Sequence, residues 1–252
     1  MSEVRMISRL DIKGENVIKG IHLEGLRVVG TPGAMAHKYY SEGVDELVFM
    51  DVVASLYERN NILPIVQRAA QDIFVPMTVG GGIRTLDDIK AVLRSGADKV
   101  AINTKATNRP EFLCEAARTF GSQCIVLSVE AVKRGPGKWE AMIDNGRERT
   151  GRDVLEWVAE AEAQGIGEVM ITSVDAEGTE KGFDIDLVKA VADATTVPVI
   201  ASGGAGSPDH IVNLIRGART DAVACASILH YNKYSLPEIK QRLQQEGCSV
   251  RP

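Results

Sequence analysis

The chain has 252 residues, a formal net charge of -5 and a mean hydropathy of -0.04. Its Lys and Arg residues are scattered, which argues against a nucleic-acid-binding surface, and it has no apolar run near the roughly 18 residues of a membrane-spanning helix. The N-terminus carries charges where a signal peptide needs an apolar stretch, and the four cysteines, Cys114, Cys124, Cys225 and Cys248, show neither paired spacing nor a metal-binding pattern. We therefore expect a cytoplasmic protein with reduced cysteines that needs no metal and no cofactor.

The sequence repeats one plan in its two halves. Segments 45–55, 75–83 and 96–104 recur in order as 167–179, 197–206 and 217–227. The offset barely changes along the chain, and Gly80 to Gly203 spans 123 positions. Each half alternates short β-branched runs with stretches of helical period, the pattern of consecutive βα units. Two half-barrels, about 1–120 and 121–252, predict a single domain over 1–252 with the (β/α)8 TIM barrel fold, which has ~250 residues.

Eight strands are predicted, with amphipathic helical stretches between them. In chain order they cover about 4–11, 46–51, 76–80, 98–102, 124–130, 168–173, 198–202 and 221–226. The residues just past these strands are nearly all polar or glycine. Because a (β/α)8 barrel builds its active site at the C-terminal ends of its strands, we expect the functional residues in this ring of loops.

Two carboxylates end strands that face each other in such a barrel. Asp11 ends the first predicted strand and Glu130 ends the fifth, 119 positions later. Strands 1 and 5 lie opposite each other, so the two side chains should flank the centre of a bound substrate. A pair on opposite faces of one reacting atom suits a general acid and a general base. The alternative is that both carboxylates only cap helices or pair with basic residues.

Glycine-rich loops at four strand ends predict two anion sites. The first site combines Gly80, Gly81 and Gly82 with Asn103 and Thr104, and the second combines Gly203, Gly204 and Gly206 with Ala226 and Ser227. Glycine lets the backbone approach an anion closely, and amide and hydroxyl donors near a helix N-terminus favour one. A single glycine cluster would serve a tight turn equally well. Because the duplication relates the two clusters, they predict an elongated substrate with a phosphate at each end.

The same motifs carry a family resemblance over essentially the whole chain. The runs LDIK at 10–13, TVGGGIR at 78–84, GADKVAINT at 96–104, GEVMITSVDAEGT at 167–179 and IASGGAG at 200–206 are typical of it. The sequence resembles the cyclase subunits of imidazole glycerol phosphate synthase, a (β/α)8 barrel family with half-barrel symmetry. The resemblance implies a lyase and cyclase of histidine biosynthesis. Such enzymes use ammonia to cleave and cyclise a bisphosphorylated ribulosyl-formimino aminoimidazole carboxamide ribotide, which yields imidazole glycerol phosphate.

The resemblance assigns roles to residues at the C-terminal face. It makes Asp11 and Glu130 the catalytic pair, and it makes Lys19 the substrate-contacting lysine of a mobile loop. The implied phosphate-binding residues are Gly81, Gly82, Asn103 and Thr104 at one end, and Asp175, Glu177, Gly178, Gly203, Gly204, Ala226 and Ser227 at the other. The family usually has Asp where this chain has Glu130 and Glu177.

The resemblance also implies an ammonia gate at the opposite, N-terminal end of the barrel. Its four charged members match Arg5, Glu46, Lys99 and Glu168. Without the resemblance, four charges before strands would be interpreted as solvated ends or surface pairs. With it, they imply a heterodimer with a glutaminase, a class I glutamine amidotransferase subunit docked on this face, and Asp98 fits the same surface.

Two departures from the family bear on the chemistry. Glu130 reaches one methylene further than Asp, and a displacement of that size can cost about a hundredfold in a positioned reaction. Strand alternation sends Arg9 to the same side as Asp11, into the barrel, where a cation needs a partner. We expect Arg9 to lie within hydrogen-bonding distance of Glu130, with Asp11 as the other candidate. A contact with Glu130 would weaken proton donation by that residue.

Three interpretations follow. The first is the histidine-pathway cyclase. The second is a paralogue that supplies ammonia for converting an acetamido to an acetamidino group on surface-polysaccharide sugars, and the third is a non-catalytic barrel that binds and activates a glutaminase. A sister isomerase of the histidine pathway, also a symmetrical barrel with two carboxylates and two phosphate sites, needs no ammonia and leaves the gate unexplained. The two phosphate sites and Lys19 favour the first interpretation.

Overall fold

A closed barrel of eight parallel strands forms the centre of the computed structural model, which describes residues 3–54 and 62–251. The strands of these ranges are β1 Arg5–Lys13, β2 Asn16–Ile21, β3 Glu24–Gly30, β4 Glu46–Asp51, β5 Met77–Gly80, β6 Lys99–Ile102, β7 Ile125–Gly135, β8 Lys138–Ile143, β9 Glu148–Asp153, β10 Glu168–Ser173, β11 Val199–Ser202 and β12 Ala222–Cys225. The barrel order is β1, β4, β5, β6, β7, β10, β11 and β12, and β12 pairs with β1 to close the ring. The predicted (β/α)8 fold is confirmed.

The barrel strands begin within one residue of the positions predicted from the sequence. Two of them run past their predicted ends, because β1 continues into the β2–β3 hairpin and β7 continues into the β8–β9 hairpin. These hairpins were not predicted. The turn between β2 and β3 consists of His22 and Leu23, both at positive φ, 52° and 64°. Such turns usually carry Asn or Gly, so His22 and Leu23 do not signal a hairpin in the sequence.

Helices alternate with the barrel strands along the chain. In the described ranges they are α1 Pro32–Ser41, α2 Leu63–Asp72, α3 Leu86–Arg94, α4 Thr104–Asn108, α5 Glu111–Phe120, α6 Val154–Ala163, α7 Ile185–Ala194, α8 Pro208–Gly217, α9 Ser227–His230 and α10 Leu236–Gln245. Capping boxes at Thr85 and Ser235 begin α3 and α10 and satisfy backbone N–H groups there. None of these helices combines the length and the apolar character needed to cross a membrane.

Two apolar layers hold the barrel together. The larger layer includes the buried side chains Phe49, Phe112 and Trp157 and packs helices onto the outer surface of the barrel. The smaller layer includes Ile7 and Met170, which strand alternation places on the inner surface. The middle of the barrel is therefore filled with side chains, and charged residues gather at its two ends.

Two repeated aspartates fix strand ends at the N-terminal face. Asp98 precedes β6 and accepts a hydrogen bond from Met77 N at 2.8 Å, and Asp221 precedes β12 and accepts one from Val199 N at 2.9 Å. Each carboxylate thereby satisfies a backbone donor of the neighbouring strand. Asp98, predicted only as part of a docking surface, thus also has a structural role.

Candidate active site at the barrel mouth

Two cations hold Asp11, at the C-terminal end of the barrel. The residue is buried, with 5% of its surface exposed. Arg9 Nε donates a hydrogen bond to Asp11 Oδ1 at 2.8 Å, and Lys19 Nζ from the β2–β3 hairpin lies 3.9 Å from Oδ2. Burial alone would raise the pKa of the Asp11 carboxyl, but Arg9 and Lys19 outweigh burial and lower this pKa below its ordinary value. Asp11 is therefore ionised at neutral pH.

Glu130, on the opposite strand β7, differs from Asp11 in its hydrogen-bond partners and in the direction of its pKa shift. It is equally buried, with 4% of its surface exposed, and it accepts hydrogen bonds from Asn103 Nδ2 at 3.0 Å and from Gly146 N at 2.8 Å. Burial raises the pKa of Glu130 to about 7, against the opposing effects of the Arg9 charge and the Gly146 N–H. A large fraction of Glu130 is therefore protonated near neutral pH and can donate a proton.

Arg9 points into the barrel as expected, and 2% of its surface is exposed. The expected contact between Arg9 and Glu130 is wrong. The guanidinium donates to Asp11 and, through Nη1, to Thr172 Oγ1 at 3.0 Å and Ser202 Oγ at 3.4 Å. The hydrogen bonds to Glu130 come instead from Asn103 and Gly146, both at Oε2. The Arg9 charge still acts to lower the pKa of Glu130, but without a hydrogen bond it does not outweigh burial.

The loops of the first half line an open cavity of about 270 Å³, which we call the first-half site. Its lining includes Gly81, Gly82, Asn103, Thr104 and Glu130. Gly81 has a φ of 95°, and a Cβ atom at this position would lie 2.1 Å from the backbone oxygen of Asp51. Only glycine fits there. The predicted phosphate loop therefore opens into the same cavity as the Glu130 carboxyl group.

Asn103 and Thr104 also bind other parts of the protein. The Asn103 amide donates to Glu130 and to Met142 O at 3.2 Å, so this side chain positions the carboxyl group. The Thr104 hydroxyl accepts a hydrogen bond from Asp144 N at 3.2 Å. Backbone N–H groups in the first turn of a helix have no partner within that helix. The backbone at the start of α4 is thus better suited to bind an anion than the Asn103 amide.

The equivalent loops of the second half, which we call the second-half site, enclose only about 10 Å³. The site is lined by Lys19, Glu177, Gly178, Ser202, Gly203, Gly204, Ala205, Ala224, Ala226 and Ser227. Lys19 donates a hydrogen bond to Glu177, and both residues are buried. Burial lowers the pKa of Lys19 to about 8. A carboxylate thus lies against the lysine where the sequence predicts a bound phosphate.

Asp175 does not belong to the second-half site. Its side chain is exposed, and its carboxylate accepts a hydrogen bond from Lys133 N at 2.8 Å. The carboxylate therefore ties the loop after β10 to the β7 extension. The assignment of Asp175 as a phosphate ligand stays a prediction, and this contact does not support it.

The β2–β3 hairpin closes over the second-half site. His22 N donates to Glu177 O at 2.8 Å. A Cβ atom at Gly178 would lie 2.2 Å from Gly20 O, so hairpin and loop are in direct contact. The β2–β3 hairpin therefore places Lys19 in the second-half site.

The backbone of the two sites preserves the duplication. Gly81 and Gly203 share a φ of 95°. Asn103 and Ala226, which precede α4 and α9, have φ and ψ of -123° and -89° and of -133° and -80°. The two loops present their N–H groups in nearly the same conformation, which supports two related anion sites.

A ring of four charged side chains closes the N-terminal end of the barrel. Arg5 binds Glu46 at 2.7 Å and also binds Glu168, and Lys99 binds Glu46 at 2.9 Å and Glu168 at 2.8 Å. The four residues predicted as a gate are therefore in mutual contact. Each carboxylate contacts both cations, so the charges are balanced within the ring.

Several residues of the mouth were not predicted as site residues. Thr172 and Ser202 bind Arg9, and Asp51, Arg84 and Lys105 line the first-half site. Ser202 and Asp51 end barrel strands, and Thr172 is next to the end of one. Arg84 and Lys105 follow strand ends, in a loop and at the start of α4. This location was the available signal. Only the folded structure shows which of the many polar strand ends turn toward the centre.

A closed (β/α)8 barrel with two unlike carboxyl groups between two related glycine loops has the construction of an enzyme for small anionic substrates. Comparison with known proteins agrees with this class. The model of the histidine biosynthesis protein family matches residues 5–235. The imidazole glycerol phosphate synthase subunit HisF of Legionella pneumophila is 59% identical over 206 residues, which cover 82% of this chain and 97% of that protein.

Two relatives match along the complete chain. The HisF subunits of Streptococcus sanguinis and Streptococcus gordonii are 45% and 44% identical over 251 residues, with 100% of both chains covered. The chain belongs to the histidine biosynthesis protein family and, within it, to the HisF subunits of imidazole glycerol phosphate synthase.

Proposed function

We propose that the chain is the cyclase subunit of an imidazole glycerol phosphate synthase and that it cleaves and cyclises the bisphosphorylated ribotide at its barrel mouth, with ammonia as co-substrate. The contrast between Asp11 and Glu130 carries the proposal. One buried carboxylate is ionised, and its repeat-related partner holds a proton near pH 7. A general base and a general acid need these two protonation states.

In the proposed reaction, Asp11 is the general base and Glu130 the general acid. The lone pair of the ammonia nitrogen attacks the substrate, and Asp11 accepts a proton from this nitrogen. Glu130 donates its proton to the group that leaves. Asp11 is then protonated and Glu130 ionised. Glu130 regains a proton from solvent in the first-half site, which it lines, and Asp11 releases its proton to solvent as the product leaves.

Two phosphate groups anchor the substrate on either side of this pair. One phosphate binds the backbone of Gly82 and Thr104 in the first-half site, which is already open. The other binds the loops at Gly204 and Ser227. Because Glu177 holds Lys19 in the second-half site, this phosphate must displace the Glu177 carboxylate, and Lys19 then pairs with the phosphate.

The N-terminal face receives the ammonia in this proposal. The ring of Arg5, Glu46, Lys99 and Glu168 lies where a glutaminase would deliver it. Phe74, in the loop before β5, is 76% exposed and packs edge-on against Tyr40. Exposed aromatic side chains are common anchors of protein interfaces, which supports a glutaminase partner at this face.

An assay of the purified chain with the ribotide and a high ammonium concentration tests the catalytic proposal without a partner. Formation of imidazole glycerol phosphate is expected. A second assay replaces ammonium with glutamine and a HisF-associated glutaminase. Lys99→Met, which breaks the ring, should lower the glutamine-dependent rate more than the ammonium-dependent rate.

The same assays separate the alternatives. An absence of ribotide turnover, together with stimulation of the glutaminase, would indicate a barrel that only binds and activates its partner. Ammonia transfer to an acetamido sugar without ribotide turnover would indicate the sugar-modifying paralogue. Arg9 is the observation that favours a test of the sugar-modifying function. It lies inside the barrel and is one of the two departures from the family.

A further inference from the structure

Arg9 lies between the two charged ends of the barrel. On β1, strand alternation places it one step above Ile7 of the inner apolar layer and one step below Asp11. Its side chain reaches from β1 to Ser202 on β11 and Thr172 on β10, which is three strands away around the barrel. The guanidinium thus lies across part of the barrel interior, beneath the proposed reaction site.

The contacts of this guanidinium distinguish the two carboxyl groups. Nε binds Asp11 directly at 2.8 Å. Thr172, which accepts from Nη1, is paired in register with Glu130 on the neighbouring strand. Arg9 is therefore close enough to act on Glu130 through its charge, but Glu130 takes its hydrogen bonds from Asn103 and Gly146.

We propose that Arg9 is a positioning residue that assigns the two acid–base roles, by binding Asp11 as the carboxylate and leaving Glu130 free to carry the proton. The inference rests on the proposed function and extends it to a residue that does not touch the substrate. Without Arg9, Asp11 would lose its directly bonded cation, and only the more distant Lys19 would still favour the ionised form of Asp11.

Other charged groups face the same two residues. Lys19 from the β2–β3 hairpin lies 3.9 Å from Asp11, and it is shared with Glu177. His230 in α9 donates from Nε2 to Arg9 O at 3.1 Å and accepts from the Tyr39 hydroxyl at Nδ1, at 2.7 Å. Burial lowers the pKa of His230 to about 4, so this imidazole is neutral at pH 7.

Two further carboxyl groups lie nearby, Asp144 beyond β8 and Asp51 at the end of β4. The negative charge of Asp144 adds to the raised pKa of Glu130. Asp51 accepts from Val53 N at 3.1 Å and lines the first-half site. Arg9 remains the only one of the cations named here that donates a directly bonded N–H to Asp11.

The test is a titration followed by NMR of side-chain carboxyl groups labelled with ¹³C, which needs no substrate. Signals of the two residues are assigned by their loss in Asp11→Asn and Glu130→Gln. In the wild-type protein, Asp11 should titrate at lower pH than Glu130. Arg9→Met should move the Asp11 midpoint up by about one pH unit or more, and Arg9→Lys, which keeps the charge, should move it less.

Lys19→Met is the matched comparison, because Lys19 lies near Asp11 without a hydrogen bond. It should shift the Asp11 midpoint less than Arg9→Met does. The proposal is overturned if Asp11 titrates at or above Glu130 in the wild-type protein, if Arg9→Met leaves the Asp11 midpoint unchanged, or if Lys19→Met has the larger effect. If Arg9→Met does not fold, the wild-type titration and the Arg9→Lys and Lys19→Met variants can still overturn the proposal.

Kinetics supply an independent readout. At a constant concentration of free ammonia, the acidic limb of the rate profile should move to higher pH in Arg9→Met and should move less in Arg9→Lys. A uniformly lower rate with an unshifted profile would mark Arg9 as a packing residue and overturn the proposal. Absence of cyclase turnover in the wild-type protein would defeat the proposed function, whereas the NMR titration would still judge the role of Arg9.

Discussion

The two halves of the barrel have strand-end loops of similar backbone conformation, but the site in the first half is open and the site in the second half is closed. The first-half site is an open cavity of about 270 Å³, and the second-half site encloses about 10 Å³. The difference lies in side chains. Glu177 and Lys19 fill the second-half site, whereas in the first-half site Asn103 turns to Glu130 and leaves the loop open. Duplication thus preserved the anion-binding loops while each half acquired its own side-chain chemistry.

The two hairpins extend this comparison. The β2–β3 hairpin carries Lys19 over the second-half site, and the β8–β9 hairpin brings the Gly146 N–H to Glu130 at the first-half site. The hairpins meet, because a Cβ atom at Gly146 would lie 2.9 Å from Leu23 Cδ1. Each hairpin supplies one partner to a catalytic carboxyl group, a cation for Asp11 and a neutral donor for Glu130. This difference accounts for part of the contrast in their pKa values.

The largest expected effect comes from removing either carboxyl group. Asp11→Asn and Glu130→Gln should each lower the ammonium-dependent rate by about 10²- to 10⁴-fold, the usual contribution of a positioned acid or base. Steady-state kinetics with ammonium measure this loss. Asp193→Asn, which removes a carboxylate exposed on α7, should leave the rate near that of the wild-type protein. A full rate in either mouth variant would contradict the assigned roles.

Substitution of the repeat-related glycines compares the two loops directly. Gly81→Ala brings a Cβ atom to 2.1 Å from Asp51 O, and Gly203→Ala brings one to 2.8 Å from Ser173 O. Both should lower the free energy of unfolding by more than the ~1–3 kcal/mol of a strained φ alone, and Gly81→Ala should lower it more. Chemical denaturation measures the change.

Gly137→Ala is the control for the glycine series. This residue has a φ of 65°, but nothing lies within 4 Å of a Cβ atom added there. Its cost should therefore be limited to the φ penalty. Equal losses for Gly81→Ala and Gly137→Ala would mean that the mouth loop relaxes easily and that the close approach of the backbone is not required.

The pKa of Glu130 predicts a pH-dependent stability. Its ordinary value is 4.5 and its folded value is about 7, so between these pH values the folded protein binds more protons than the unfolded chain. Stability therefore falls as pH rises through this window. Glu130→Gln should remove the fall. The stability of this variant relative to the wild-type protein should therefore be about 3 kcal/mol higher at pH 8 than at pH 4.5. Thermal or chemical unfolding at several pH values tests it.

Glu140 on β8 supplies a control of opposite sign. A hydrogen bond from Arg149 lowers the pKa of Glu140 to about 2 from 4.5. Its contribution to stability is present above pH 4.5 and is lost as pH falls toward 2. Glu140→Gln should therefore destabilise the protein at neutral pH and have little effect near pH 2. If Glu130→Gln and Glu140→Gln changed the stability at neutral pH in the same direction, the assigned environments would be contradicted.

The smallest expected effect concerns the closed second-half site. Glu177→Gln removes the negative charge that occupies Lys19, so inorganic phosphate should bind this site several-fold more tightly, about 1 kcal/mol for a fivefold change. Calorimetric titration with phosphate measures the change. Lys19→Met in the same background should abolish the gain. An unchanged affinity would show that the hairpin, rather than the carboxylate, keeps the site closed.

The amino-acid sequence by itself determined the barrel and its two ends. Hydrophobic periodicity and the repeat offset placed the eight barrel strands within one residue of their observed starts. The glycines at Gly81 and Gly203 marked the loops, because both have a positive φ and a Cβ atom at either would lie within 3 Å of a backbone oxygen. The family motifs identified the charged ring, whose members are in contact as expected.

Only the tertiary structure decided which partner each buried charge takes. Arg9 was expected to bind Glu130 but binds Asp11, Thr172 and Ser202. Strand alternation fixes the side of the sheet to which a side chain points, but a long flexible side chain in a crowded interior can reach several strands. Its choice depends on which acceptors other residues have already satisfied. Glu130 receives its hydrogen bonds from Asn103 and Gly146, contacts across 27 and 16 positions of sequence that no local pattern encodes.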